Sequence, residues 1–277
     1  MAVVAVLMPV YNAERYLPEC LLSLQKQTFS DWVLLAADDA SQDGSLKILE
    51  QFARQDSRIQ VFRNSHNMGV AATLNFLLEE AGNPSFPFLA RMDADDVAEP
   101  RRLQLQLHFL LNHPEIAAVG TFLKMIDENG KELGLRRYPT NADQIRRQIL
   151  CANPIAHPSV LIRSELFQSI GPYRNIPAVE DYDLWLRATA GGFQLENLPI
   201  PLLCYRICPE QEKKRNLKPM LRRTLQLQRT YLFRRDFFST KALLHYCAGL
   251  LLEVLPASWI MKLFLWTILR KGRKICV

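Results

Sequence analysis

The run Val3-Val4-Ala5-Val6-Leu7-Met8-Pro9-Val10-Tyr11-Asn12 joins an apolar segment to a polar turn. Val3–Leu7 is continuously apolar and rich in valine, which predicts a fully buried strand. A helical pattern follows over Glu14–Gln27, and the apolar run Trp32–Ala37 predicts a second strand. A strand, a helix and another strand in this order predict a βαβ unit, whose strands lie parallel in one sheet.

The alternation continues and then becomes mixed. The further predicted helices are Ser45–Arg54, Val70–Glu80, about Pro100 to Asn112, Asp143–Leu150 and Asp181–Ala190. The further predicted strands are Ile59–Phe62, Phe86–Arg91, Ile116–Val119, Phe122–Ile126 and Ser159–Ile162. We therefore expect an α/β fold with a mainly parallel central sheet. A composition shift at Leu202–Arg206 divides the chain into a body, residues 1–205, and a C-terminal region, residues 206–277.

Charge is divided unevenly between these two parts. The 277 residues are 49% hydrophobic and 22% charged, which excludes disordered, collagen-like and disulfide-scaffold proteins. Residues 1–205 hold 18 Lys and Arg against 24 Asp and Glu, a net charge of −6. Residues 206–277 hold 16 against 4, a net charge of +12, and the whole chain has a net charge of +6. A basic region of this kind indicates contact with nucleic acid or with an anionic membrane.

Three polar clusters, residues 9–12, 38–41 and 93–96, each follow a predicted strand. Loops at the carboxyl ends of parallel strands bind ligands in open α/β sheets, so we expect one binding site there. The sequence has no GxGxxG after the first strand and no GxxxxGK[ST]. A dinucleotide-binding fold and a P-loop are therefore disfavoured, and phosphate needs another kind of partner.

The cluster Asp93-Ala94-Asp95-Asp96 supplies that partner. Three carboxylates within four residues repel one another unless a cation or water neutralises them. Oxygen ligands select Mg²⁺ or Mn²⁺, and such ions bridge carboxylates to a diphosphate. The alternative is a solvated acidic turn that caps the next helix. The position directly after an apolar strand favours the metal site.

Two other acidic motifs each have a structural and a functional interpretation. Asp38 or Asp39 can cap the helix that begins near Ser45, or can accept hydrogen bonds from a nucleobase or a ribose. The acids of Glu180-Asp181-Tyr182-Asp183 can stabilise the first turn of a helix. Alternatively, one of these acids acts as a general base toward an acceptor hydroxyl.

Six motifs occur in a defined order along residues 3–206. They are Met8–Asn12, Asp38–Gly44, Asn67–Gly69, Met92–Asp96, His157–Val160 and Glu180–Trp185. As an ordered set they resemble the inverting family 2 glycosyltransferases of the GT-A fold. The resemblance implies transfer of a sugar from a nucleotide-diphosphate donor to a hydroxyl, with Mn²⁺ or Mg²⁺ as cofactor.

The resemblance also implies which residues bind the donor nucleotide. Pro9, Tyr11 and Asn12 belong to the first motif, and Pro9 and Tyr11 are implied to line the nucleobase pocket. Asp39 is implied to hold the base, which favours a UDP-sugar. Arg206 resembles a family arginine that approaches the diphosphate.

The remaining implied roles concern the metal and the chemistry. Asp93 is implied to contact the ribose or donor sugar, and with Asp95 to bind the metal on the diphosphate. Asp181 matches the family's general base, and Glu180 lies beside it near the donor or acceptor. His157 faces the donor or is a structural loop histidine, and the sequence leaves both possibilities open.

This chain departs from the family pattern in three places. Ala40 replaces the commoner glycine, which we expect to be a mild change because alanine fits most turns. Cys208 stands where a histidine often follows Arg206. The QxxRW signature of processive members is absent, which favours transfer of one sugar per encounter.

The segment Leu243–Leu269 is the most apolar of the chain, but charged residues and Pro256 interrupt it. His245, Gly249 and Glu253 form a polar stripe at helical spacing. Two short amphipathic helices in the membrane interface fit this pattern better than one spanning helix, with basic flanks that meet anionic headgroups. Packing on the body and a dimer interface are the alternatives. Nucleic acid is disfavoured as a partner because the region is so apolar.

The resulting hypothesis is a non-processive, metal-dependent glycosyltransferase that acts on a glycan or lipid-linked acceptor in surface polysaccharide or lipopolysaccharide synthesis. We expect it at the cytoplasmic face of the membrane, since Met1–Met8 predicts a strand and not a signal peptide and no CxxC pair occurs. A nucleotidyltransferase is the second enzyme hypothesis, and it is disfavoured because the sequence lacks the glycine-rich phosphate loop that such an enzyme needs. The third hypothesis is a catalytically silent, sugar-nucleotide-binding partner of another transferase. Such a protein would be free to lose Asp93, Asp95 and Asp181, so their presence argues against it.

Overall fold

The computed structural model describes residues 3–82, 86–207 and 217–255. The strands of these residues are β1 (Val4–Val10), β2 (Trp32–Asp38), β3 (Ile59–Arg63), β4 (Phe88–Arg91), β5 (Val97–Ala98), β6 (Ile116–Ile126), β7 (Glu132–Arg136), β8 (Leu161–Arg163) and β9 (Gln194–Arg206). The helices are α1 (Leu17–Gln25), α2 (Ser45–Gln55), α3 (Val70–Gly82), α4 (Arg102–Asn112), α5 (Ala142–Gln148), α6 (Glu165–Ile170), α7 (Glu180–Ala190), α8 (Leu217–Leu232) and α9 (Thr240–Val254). The helices predicted for the body are present close to their expected bounds.

All of these strands belong to one sheet with the order β3-β2-β1-β4-β8-β6-β9-β5, and β7 pairs with β6. The first half is parallel, as the alternation predicts: β1 pairs with β2 and β4, and β2 pairs with β3. The second half is mixed, because β8 runs antiparallel to β4 and β6 while β9 runs parallel to β6. The parallel half therefore brings the three polar clusters to one edge of the sheet.

The long pair β6 and β9 differs from the sequence expectation. The two strands predicted at Ile116–Val119 and Phe122–Ile126 are a single strand, and β9 has no predicted counterpart. β9 contains Pro199 and Pro201. Because proline has no N–H to donate to a neighbouring strand, these two residues argue against predicting a strand from the sequence. The pairing accommodates them by a register shift, since Thr121 faces Leu198 while Phe122 faces Pro201.

The core has two apolar layers, one on each face of the sheet. Alternate residues of β1 supply both layers, with Leu7 on one face and Val6 on the other. α3 and α7 cover the first face, where Trp185 is fully buried, and α1 and α4 cover the second. The resulting helix–sheet–helix arrangement leaves the strand ends free to form a site.

The C-terminal helices α8 and α9 pack against each other and against the first layer. Leu232 and Ala242 are buried there. Two members of the predicted polar stripe face α8: a Cβ at Gly249 would lie 2.6 Å from Leu225 Cδ2, and Glu253 accepts a hydrogen bond from Arg222 at 2.5 Å. The second predicted amphipathic helix lies beyond Pro256, outside the described residues. No helix among the described residues is long and apolar enough to cross a membrane.

We predict that Gly120→Ala destabilises the fold at the β6–β9 junction. A Cβ at Gly120 would overlap Asn197 Oδ1 and would lie 2.8 Å from Ile155 Cγ2. Asn197 cannot easily move, because its amide donates to two backbone carbonyls, those of Pro139 and Pro154. The free energy of unfolding should fall by about 1–3 kcal/mol in urea titrations. Gly82→Ala, whose Cβ meets nothing within 4 Å, is the matched control, and an equal effect at both sites would contradict this explanation.

Candidate active site

A cleft of about 320 Å³ opens at the carboxyl ends of β1, β2 and β4. Six predicted site residues line it together: Pro9, Tyr11, Asn12, Asp39, Asp93 and Asp95. They come from three separate strand ends, which the parallel half of the sheet places side by side. The convergence expected at the edge of this sheet is therefore present.

The loop after β1 is tied to the loop after β2. Asn12 Oδ1 accepts the Gln42 amide at 2.8 Å, and Ser41 Oγ accepts the Asn12 amide at 3.0 Å. Ala40, directly before Ser41 in the loop after β2, has φ +58°. This left-handed conformation costs a non-glycine residue about 1–2 kcal/mol. The expectation that alanine is a mild replacement is therefore wrong at this position, because glycine adopts this conformation without strain.

The carboxylates after β2 have distinct partners. Asp39 is buried, and its Oδ1 accepts hydrogen bonds from Asn64 Nδ2 at 2.7 Å and the Met68 amide at 2.8 Å. Its Oδ2 accepts the Gly69 amide at 2.9 Å. These bonds hold Asp39 at the cleft wall and leave Oδ2 with capacity for another donor. At the start of α2, it is Asp43 that accepts the hydrogen bonds, which Ser45 donates from its amide and its hydroxyl.

The acid cluster after β4 has the character of a divalent-cation site. Carboxylate oxygens of Asp93, Asp95 and Asp96 lie within 4.8 Å of one another. Burial and the Asp93 charge raise the pKa of Asp95 to about 6, and burial with both neighbouring charges raises the pKa of Asp96 well above its usual value. Asp96 Oδ2 is buried and has no hydrogen-bond partner among the described residues. Closely spaced hard oxygens short of positive charge fit Mg²⁺ or Mn²⁺.

Two buried arginines hold the backbone under this cluster. Arg91 Nη2 donates to Asp93 Oδ1 at 2.6 Å, and its Nη1 donates to the Met92 carbonyl. Arg102 Nη2 donates to the Arg91 carbonyl at 2.6 Å from the core side. Burial lowers the pKa of Arg102 to about 10, so the residue keeps its charge at neutral pH. Sequence reasoning missed both roles, because Arg91 ends an apolar run and Arg102 begins a helix, and neither position carries a motif signal.

Glu180 and Asp181 form a half-buried acid pair at the start of α7. Asp181 Oδ2 accepts Asn153 Nδ2 at 2.6 Å, and Asp181 Oδ1 accepts the Tyr182 amide at 2.7 Å. Burial raises the pKa of Asp181, while the Asn153 hydrogen bond opposes this rise. Burial and the Asp181 charge raise the pKa of Glu180 to about 7. The nearby Arg91 charge favours the ionised form of both acids, so the pair lies within electrostatic reach of the cleft.

Arg206 supports the acid loop with its backbone and its side chain. The Arg206 amide donates to Asp96 Oδ1 at 2.9 Å, and its Nε donates to the Asp95 carbonyl at 2.9 Å. Its Nη2 donates to Glu19 at 2.6 Å, and its Nη1 donates to the Asp127 carbonyl at 3.2 Å. All three guanidinium nitrogens therefore have protein partners, and Arg206 is not among the residues that line the cleft.

His157 lies in the core beside α7, away from the cleft lining. Its Nε2 is 2.9 Å from Tyr173 Oη, and its ring meets Trp185 edge-on. Burial lowers the pKa of His157 well below its usual value, so the imidazole is neutral. This placement matches the structural-histidine interpretation more closely than direct contact with a donor in the cleft.

Arg15 lines the cleft and was not singled out from the sequence. Its guanidinium lies 5.1 Å from the centre of the Tyr16 ring, and the residue is exposed. Its guanidinium adds positive charge to a cleft that Asp39, Asp93 and Asp95 also line. Its position three residues after Asn12, in the loop before α1, is the only sequence signal for it.

The cleft thus brings Asp39, Asp93 and Asp95 together, with the half-buried acids Glu180 and Asp181 within electrostatic reach. The profile of Glycosyl transferase family 2 matches residues 5–171. The chain therefore belongs to this family, and it is a glycosyltransferase.

Two relatives extend the comparison. EpsE of Bacillus subtilis, named as a glycosyltransferase, is 35% identical over 77% of this chain and 76% of its own length. The amylovoran biosynthesis glycosyltransferase AmsE of Erwinia amylovora is 29% identical over 97% of this chain and 99% of its own. The similarity to AmsE thus extends through the C-terminal region.

Solved structures show the GT-A fold. S. aureus TarS residues 1–349 with UDP-GlcNAc superpose with a TM-score of 0.66 at 20% identity, over 90% of this chain and 72% of that one. The chain spans 43% of the longer TarS structure. The mannosyltransferase PcManGT of Pyrobaculum calidifontis, solved with GDP-Man and Mn²⁺, gives a TM-score of 0.59 at 17% identity, over 96% of this chain and 79% of that one. Neighbours of this fold thus bind nucleotide sugars, and one of them binds Mn²⁺.

We predict that burial of Glu180 makes the fold less stable as the pH rises. Its pKa is about 7 in the folded state against 4.5 as the ordinary value, so the folded state binds more protons between these pH values. The free energy of unfolding should therefore fall over this window. In Glu180→Gln, the drop in unfolding free energy between pH 5 and pH 8 should shrink by about 1–2 kcal/mol.

The matched control for this measurement is Glu165→Gln, which replaces an exposed carboxylate at the start of α6. Chemical denaturation of the three proteins at pH 5 and pH 8 supplies the comparison. The same pH dependence in Glu180→Gln as in the unchanged protein would show that Glu180 ionises without a burial penalty.

Proposed function

We propose that this glycosyltransferase moves one sugar, with inversion, from a UDP-sugar to a hydroxyl of a glycan or lipid-linked acceptor. The observation that carries the proposal is the single cleft in which Asp39, Asp93 and Asp95 meet beside the Glu180–Asp181 pair. The relative AmsE is named for the biosynthesis of amylovoran, which supports a place for the reaction in surface polysaccharide or lipopolysaccharide synthesis.

The acid cluster is the proposed metal and diphosphate site. Asp95 and Asp93 would hold Mn²⁺ or Mg²⁺, and the buried Asp96 oxygen adds a third carboxylate to the same place. When bound, the ion supplies positive charge that stabilises the leaving diphosphate. Arg15 offers a further cation from the exposed side of the cleft. Because its guanidinium is fully engaged within the protein, Arg206 serves by fixing the backbone of this loop.

Asp181 is the proposed general base. It takes the proton from the acceptor hydroxyl as the oxygen attacks the anomeric carbon on the face opposite the diphosphate. The new bond joins that oxygen to the anomeric carbon, and the bond to the diphosphate oxygen breaks, so the nucleoside diphosphate leaves with the electron pair. One displacement inverts the anomeric configuration. Glu180, with its raised pKa, lies beside this reaction as a second acid.

The donor nucleotide is proposed from the pocket and from the fold. Asp39 Oδ2 can accept a further hydrogen bond, which suits the imide N–H of a uracil placed between Pro9 and Tyr11. TarS was solved in complex with UDP-GlcNAc, whereas PcManGT was solved in complex with GDP-Man. Since both bases occur on this fold, the preference for uridine depends on the Asp39 contact.

We predict nucleotide release from UDP-sugars in the presence of Mn²⁺, and loss of this release in Asp181→Asn. The test is a release assay over a panel of UDP-, GDP- and dTDP-sugars, with and without Mn²⁺. Asp181→Asn removes the proton acceptor and keeps the shape, so turnover should fall at least about 100-fold while UDP affinity stays unchanged.

Three results of that assay would count against the proposal. Activity restricted to guanosine or thymidine sugars would contradict the uridine preference. Full turnover in Asp181→Asn would remove its role as base. Donor binding without turnover by the unchanged protein, on any sugar and acceptor glycan tried, would favour the catalytically silent binding partner.

The outer surface of the C-terminal helices is the proposed membrane contact. Phe233, Leu244 and Leu251 are more than 70% exposed, and Val254 is 82% exposed. Arg234 and Arg235 are exposed directly after Phe233, so cations border this apolar residue. Apolar side chains with basic neighbours suit the interface of an anionic membrane. We therefore propose peripheral attachment to the cytoplasmic face, where anionic lipids are enriched.

We predict that the double substitution Leu244→Glu with Leu251→Glu weakens binding to anionic vesicles about tenfold or more. The reason is that two exposed leucine side chains, which would insert into the lipid, are replaced by charged ones. Co-sedimentation with phosphatidylglycerol-containing vesicles measures the effect. Leu111→Glu, at an exposed leucine of α4, is the matched control and should bind as the unchanged protein does. Unchanged vesicle binding together with loss of a dimer in sedimentation velocity would instead support a dimer interface.

A further inference from the structure

The turn between α5 and the strand β8 places an amide against the proposed base. We propose that Asn153 is a positioning residue for Asp181: it holds the carboxylate in the orientation and the ionised form that accept a proton. The inference depends on the proposed function of Asp181. It concerns a residue outside the cleft lining and outside the ordered motifs that carry the family resemblance.

The contact between the two side chains is short and directional. Asn153 Nδ2 lies 2.6 Å from Asp181 Oδ2, and the Tyr182 amide lies 2.7 Å from Asp181 Oδ1. Each carboxylate oxygen therefore has one fixed donor, and the plane of the carboxylate cannot rotate without breaking a bond. Each oxygen keeps a second lone pair that can face an acceptor hydroxyl.

Contacts from three neighbouring elements anchor the turn that carries Asn153. Tyr182 of α7 donates from Oη to the Ile149 carbonyl at 2.6 Å. Gln228 of α8 donates to the Leu150 carbonyl at 3.0 Å, and Asn197 of β9 donates to the Pro154 carbonyl at 3.0 Å. Since both ends of the turn are fixed, Asn153 reaches Asp181 from a rigid support.

The amide nitrogen of Asn153 favours one protonation state of Asp181, the ionised form. Nδ2 only donates, so its bond stabilises the carboxylate and not the protonated acid. The other charged or titratable groups that face Asp181 are Glu180 from the same helix, Arg91 from β4, and two tyrosines, Tyr138 and Tyr173. Arg91 favours the ionised form and Glu180 opposes it, while the buried tyrosines are neutral. Loss of the Asn153 bond should therefore raise the pH at which Asp181 becomes a competent base.

The experiment is the pH profile of kcat/KM for UDP release from the most active UDP-sugar with Mn²⁺, in the full chain. Asn153→Leu has similar size and no donor, and Asn153→Ser is a second variant too short to reach Asp181. We expect the acidic limb of the profile to move up by about one pH unit. The plateau rate above that limb should fall about tenfold, because the carboxylate is no longer held in one orientation. The KM for the donor should not change, because Asn153 does not line the cleft.

Asn141→Leu is the matched control. Asn141 caps α5 by accepting the Gln144 amide at 2.9 Å, so its loss affects stability without touching the base. Thermal melts confirm that each variant is folded. A folded Asn153→Leu or Asn153→Ser protein with the profile and rate of the unchanged enzyme would overturn the inference.

Asp181→Asn, measured alongside, separates this result from a failure of the proposed function. If Asp181→Asn is inactive and the Asn153 variants keep the original profile, only the positioning role is wrong. If Asp181→Asn retains full activity, the base assignment is wrong and the positioning role falls with it.

Discussion

Mutual repulsion among Asp93, Asp95 and Asp96 is the constraint on which the site depends. Their oxygens lie within 4.8 Å of one another, and burial raises the pKa of two of the three. The protein supplies partial compensation from Arg91, which pairs with Asp93, and from the Arg206 amide on Asp96. A divalent cation would complete the compensation, and in the proposed function that cation also binds the donor diphosphate.

The parallel half and the mixed half of the sheet contribute different parts of that site. The parallel half aligns three strand ends, so that the loops after β1, β2 and β4 share one cleft. The mixed half brings distant segments to the same place: β9 delivers Arg206 beneath the acid loop, and α7 presents Asp181 beside Arg91. Residues almost two hundred positions apart, such as Glu19 and Arg206, then form one support.

The sequence predicted what local patterns control and missed what tertiary contacts control. Uninterrupted apolar runs made β1, β2 and the body helices predictable, and strand ends located Asp39 and Asp95. β9 was missed because Pro199 and Pro201 contradict a strand unless its partner shifts register. The partners of Arg206 and Asn153 come from other parts of the chain, so no spacing rule indicates them. The cost of Ala40 was underestimated because a backbone angle cannot be read from residue type alone.

The central claim, that the acid cluster joins a divalent cation to the donor diphosphate, is tested most directly by calorimetric titration of UDP. The titration is carried out with and without Mn²⁺ on the unchanged protein and on Asp95→Asn. We expect Mn²⁺ to tighten UDP binding at least about tenfold in the unchanged protein and to have little effect in Asp95→Asn. An equal effect of Mn²⁺ in both proteins, or none in either, would contradict the claim.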